Sequence, residues 1–190
     1  MDTAAHALWA SLAADQLARR LGPAALAGSG HGEFVAACAA FSLAPDLCYH
    51  LPFLAYYSAK MGGAEVEAQN FRGDVRNIFY LRLGENQAPP AWIMRVYFFS
   101  HSFLLLAAMY GLLRWTWPAV ALPFLVGWGS HLAADLISHR DEYSLKPLYP
   151  LWGRVVPGFA SWYYSRRFNV LNYGTLLVAA AVLYGGLWAR

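Results

Sequence analysis

His131 and Asp135 stand four residues apart in the apolar stretch Gly127 to His139, and His139 follows four further on. On a helix, residues at this spacing share a face, with Cβ atoms roughly 5–6 Å apart. An imidazole and a carboxylate so placed can hold one divalent ion together or hydrogen-bond each other. Burying both in apolar surroundings without a partner is costly. Two other apolar runs carry ionisable groups as well. Asp46 and His50 lie in the run Phe34 to Tyr57, and His101 lies in the run Val96 to Leu113. Such groups inside membrane-length segments mark function more often than not.

Asp46, His101, His131 and Asp135 form the core set. Mixed imidazole and carboxylate ligands favour zinc, with manganese or iron next, over magnesium. A catalytic ion with an open position activates water towards ester or phosphoester bonds. Two ions sharing a bridging aspartate would be another arrangement. The plainer reading makes each histidine a packing residue and each aspartate a helix cap. His139 is a candidate ligand, general acid or pH-responsive surface group. His31, within Gly28-Ser29-Gly30-His31-Gly32, reads as solvated. Nucleophile-elbow, phosphate-loop and dinucleotide signatures are absent.

These residues need elements to position them. The chain of 190 residues is 58% hydrophobic and only 13% charged, against about 25% charged in an ordinary globular domain. That deficit points to lipid surroundings. A net charge of +3 is too small and too scattered for a nucleic-acid footprint. Cys38 and Cys48 share one apolar run and form no disulfide framework. The first thirty residues lack the pattern of a cleaved signal peptide.

The pattern is all-α, without strand alternation. Residues 3–20 predict an amphipathic helix that lies at the interface or packs on the bundle. Four crossings follow: 34–57, 96–113, 117–138 and 168–189. Each approaches the roughly 20 residues a span requires. Pro45 predicts two half-helices in the first, the second opening at Pro45-Asp46. Residues 58–95 and 139–168 read as extramembrane loops, the former with short helical pieces. The whole is a single integral membrane domain. Tyr and Trp gather at the ends of the runs, as an interfacial belt requires. Each loop carries five Lys/Arg, while Arg19, Arg20, Arg114 and Arg190 lie opposite. The positive-inside tendency therefore puts both loops in the cytoplasm. His50, His101, His131 and Asp135 then converge near that side.

Several short motifs occur in order. They are Ala5-His6, Phe41-Ser42-Leu43-Ala44-Pro45-Asp46-Leu47, Phe99-Ser100-His101-Ser102, Ser130-His131-Leu132-Ala133-Ala134-Asp135, and Lys146-Pro147-Leu148-Tyr149-Pro150. Over most of residues 6–150 the chain resembles the membrane-bound metal-dependent hydrolases of the YdjM type, LexA-regulated inner-membrane proteins. It is more distantly similar to zinc-dependent phospholipase C. The resemblance implies metal ligands at His6, Asp46, His101, His131 and Asp135, and a place in a bacterial inner membrane. Cys48 stands where the group usually has a second acidic residue. Val96-Tyr97-Phe98 stands where it often has His-Arg-Gly. His50 is the candidate to replace one missing ligand.

The expected function is metal-dependent hydrolysis of an ester or phosphoester in a membrane lipid or lipid-linked substrate. The rival readings are a metal-ion or proton carrier and a non-catalytic protein with a structural metal site. Arg166-Arg167 reads as an interface anchor, or secondarily as a lipid-phosphate contact.

Overall fold

A computed structural model describes residues 2–22, 26, 29–61, 89–140, 143–162 and 165–188. Among these the chain is all-helical, with one isolated bridge between Leu145 and Val156. The helices are α1 (Thr3–Leu21), α2 (His31–Met61), α3 (Ala91–Ser100), α4 (Phe103–Thr116), α5 (Pro118–Ser138) and α6 (Arg166–Trp188). Most of the expected 58–95 loop, residues 62–88, lies outside the described residues.

Two helices are long and apolar enough to cross a membrane: His31–Tyr56 within α2, and α5. The pair α3 and α4, bent by 56° at His101-Ser102, counts as a third if it is one broken span. At 1.5 Å per residue, the 21 residues of α5 reach about 31 Å, close to the hydrocarbon thickness of a bilayer. Among the described residues α6 is not one of these spans.

Pro45 does not divide α2, which continues as one helix through both Pro45 and Pro52. A proline removes one ladder hydrogen bond and crowds the preceding turn. Neighbouring helices can then occupy the freed backbone groups. Here the Ser42 carbonyl, in that turn, accepts Nδ1 of His131 at 2.7 Å. The turn that precedes Pro45 is thus one place where α5 meets α2.

Gly127 permits that docking. A Cβ there would run into the Cys38 carbonyl and come within 2.8 Å of the Phe41 Cβ. Without one, α5 closes on α2 one turn before His131.

Helix α1 packs inside the bundle, against α2, α5 and α6. Asp2 caps it by accepting from the Ala5 amide at 2.9 Å. Its buried face is not the large apolar stripe. Ala5, His6, Ala10, Ala14, Asp15 and Ala18 are buried, whereas Leu8 is exposed. Small side chains at a four-residue repeat let α1 approach α2 closely. That close approach brings His6 to one end of the bundle and Asp15 towards the other.

Candidate metal centre

Three elements deliver the core set, each through a local feature of its own. On α5, His131 lies thirteen residues beyond Pro118, about 20 Å along the axis. On α2, Asp46 lies a similar distance beyond His31. His101 sits at the bend between α3 and α4, where its backbone leaves the helix. These places coincide in space. His131 Nε2 is 3.0 Å from Asp135 Oδ2 and 3.1 Å from His101 Nε2. His101 Nε2 is 3.6 Å from Asp135 Oδ2. Asp46 Oδ1 lies 3.7 Å from both imidazole nitrogens.

The outer nitrogens explain which way the inner ones face. His131 Nδ1 lies against the Ser42 carbonyl at 2.7 Å. His101 Nδ1 lies 3.0 Å from the Tyr97 carbonyl and 3.0 Å from Ser100 Oγ. A carbonyl can only accept, so each Nδ1 carries the proton. In the neutral rings both Nε2 lone pairs then point into the centre, towards each other and towards a carboxylate. Such a constellation repels itself unless a cation or a proton lies within it. Backbone carbonyls that hold the far nitrogen of a ligating histidine are the usual outer shell of metal sites.

Distances of 3.0, 3.1 and 3.6 Å among His131, Asp135 and His101 are close to the spacing of donor atoms that share one small divalent ion; tetrahedral zinc sets the scale. Ligand atoms at about 2.0–2.1 Å from the ion lie about 3.3–3.4 Å apart. His6, Asp46 and His131 form a second group of donor atoms close enough to share an ion. Both groups use His131, and its Nδ1 is engaged with Ser42. A single Nε2 serves one ion, so one occupied position is the arrangement that uses His131 fully.

His6 arrives from α1. Its ring stacks on His131, with centroids 3.8 Å apart, and its Nε2 is 3.0 Å from Asp135 Oδ1. Burial pushes the His6 imidazole down to about 4, nearby His131 adds to this, and Asp135 opposes it. At neutral pH His6 is therefore uncharged. His139 Nε2 lies 3.0 Å from the same Oδ1. Asp135 thus meets four imidazoles, two on each oxygen. Thr3 Oγ1 donates to Asp46 Oδ2 at 2.7 Å.

His6, Asp46, His101, His131 and Asp135 are brought together, and His139 joins them. His50 is buried one turn beyond Asp46, with its ring against Tyr49. The Asp46 side chain, 14% exposed, is the most open of the six that meet. It marks the accessible edge of an otherwise enclosed centre.

Sequence reasoning did not find Thr3 or the carbonyls of Ser42 and Tyr97. Thr3, just after the cap residue Asp2 and three before His6, was the one available signal. His31, expected to be solvated, is only half exposed, and its Nε2 lies 2.7 Å from Asp15 Oδ1.

No protein-family model, curated protein or solved structure matches the chain.

Proposed function

We propose that the chain is an integral membrane hydrolase that uses one divalent cation, zinc first, to cleave an ester or phosphoester of a lipid or lipid-linked substrate. One observation carries the reading. Two inward Nε2 lone pairs 3.1 Å apart share a buried pocket with two carboxylates, and one divalent charge would neutralise that pair. Bound there, such an ion would supply Lewis acidity and lower the pKa of water.

The protein's own groups have separate tasks. His101, His131 and Asp135 hold the ion. Asp46, at the exposed edge, either completes the coordination or orients water and substrate. His6 and His139 fix Asp135 from behind, and His139 is the candidate proton carrier. The order of the motifs, with its resemblance to YdjM-type hydrolases, supports the same reading. Four crossings, with α6 the last and the centre towards the cytoplasmic side, complete the proposed placement.

The test is turnover of short-chain ester and phosphodiester lipids by purified protein before chelation, after it, and after zinc is restored. Activity should vanish and return, and His131→Ala should lack it throughout. Proton or metal flux across liposomes without turnover would favour a carrier and refute the hydrolase.

A further inference from the structure

The segment that follows α5 reads from its sequence as an extramembrane loop, yet its surface is not that of a water-facing loop. Every residue from Pro150 to Pro157 is exposed. Leu151 is 80% exposed and Phe159 85%, and Trp152 and Val155 are about half exposed. Single exposed apolar side chains are ordinary, but a contiguous apolar patch marks an interaction surface.

This patch is held rigidly. The Leu145–Val156 bridge closes its neck. The amides of Gly158, Phe159 and Trp162 donate to the carbonyls of His139, Ile137 and Ser138 at 2.7–3.0 Å. On the other flank, Ser102 Oγ donates to the carbonyls of Pro147 and Tyr149, and the Phe103 amide to Pro147. Gly158 is pressed against its anchor: a Cβ would lie 2.8–2.9 Å from three carbonyl oxygens at the end of α5. The base of the patch is thus fixed to the two places that carry the metal-site residues, the end of α5 and the His101 bend.

Charge selects the occupant. No Asp or Glu occurs from Tyr143 to Arg190, while Lys146, Arg154, Arg166 and Arg167 do. Two of these cations fold over rings. Lys146 Nζ lies 3.7 Å from the Phe98 centroid, and the Arg154 guanidinium lies 5.6 Å from that of Trp152. Apolar tips interleaved with cations and a tryptophan suit the boundary between acyl chains and anionic headgroups.

We propose that residues 148–159 form an interfacial plate seated in an anionic phospholipid leaflet, next to the metal centre. The leaflet is that of the membrane which the apolar helices cross. The plate would hold headgroup linkages at the level of the site, making an anionic phospholipid the substrate class. The seating rests on the membrane placement above and not on hydrolysis, so its failure and that of the enzyme reading are separable.

The experiment places a nitroxide at Leu151→Cys or Phe159→Cys in a Cys48→Ser background, with Cys38 left buried. The labelled full chain is reconstituted in phosphatidylcholine vesicles with and without phosphatidylglycerol. Relaxation by dissolved oxygen should exceed that by a water-soluble nickel chelate. The depth should increase with phosphatidylglycerol, and Arg154→Glu should remove that increase. Full nickel access at both positions would overturn the proposal. Spin–spin broadening would also overturn it, because a second copy of the chain would then cover the patch. Depth unaffected by phosphatidylglycerol would refute the anionic selectivity.

Discussion

Asp15 and Asp135 are both largely buried aspartates ringed by donors, yet their surroundings differ in one decisive respect. Asp15 receives Arg19 Nε at 2.8 Å, the Tyr184 hydroxyl at 2.7 Å and His31 Nε2 at 2.7 Å. Burial disfavours its charge, but hydrogen bonds from Arg19, Tyr184 and His31 outweigh this and hold the carboxyl well below the usual range. The compensating positive charge is part of the chain. Asp135 meets imidazoles on both oxygens and the Ser138 hydroxyl at 3.5 Å, and Asp46 beside it meets imidazoles and a hydroxyl. Neutral imidazoles bring no charge, so on the proposed reading a bound cation would supply it. One cluster is a finished structural knot; the other, on the proposed reading, is a receptor for an ion.

Breaking either cluster should therefore give different signatures. Thr3→Val removes the hydroxyl that holds Asp46 Oδ2. Outer-shell losses of this kind typically weaken metal affinity by about 10–100-fold, which a competitive chelator titration would read. The fold should change little, because Thr3 lies at the start of α1.

Asp15→Asn should show the reverse: metal affinity intact and stability lowered by about 1–3 kcal/mol, the cost of unpairing a buried polar group. The loss should depend on pH with a definite sign. A carboxyl whose folded pKa is depressed contributes stability that is complete above its unfolded pKa, about 3.9. That contribution fades as pH falls below this value. The gap between wild type and variant in thermal melts should therefore begin to narrow as pH falls below about 4 and close only below the depressed folded value. Arg19 is half exposed, so Arg19→Met should cost less than about 1 kcal/mol.

The comparison also shows what the sequence could and could not disclose. The His131–Asp135 pair and the apolar runs were readable because helical spacing leaves a mark in the chain. The bend of 56° at His101-Ser102 was not readable: the run 96–113 reads as one straight crossing, although Ser100-His101-Ser102 interrupts its apolar pattern. Nor was the face of α1. Its packing uses alanines, which carry almost no hydrophobic signal, so the burial of Asp15 could not be deduced and His6 is expected at the centre only through the family resemblance. Pro45 misled for a physical reason. Proline disfavours an isolated helix, but here α2 is packed against α1 and α5 and continues through it. Ligand orientation rests on the carbonyls of Ser42 and Tyr97, and every residue has a carbonyl.

The most direct measurement is the metal content of the detergent-purified chain, taken by elemental analysis for wild type, Asp135→Asn and Asp15→Asn. The account predicts a divalent metal stoichiometric with wild type and with Asp15→Asn, and its loss from Asp135→Asn. Metal-free wild type, or metal retained in full by a folded Asp135→Asn protein, would contradict it.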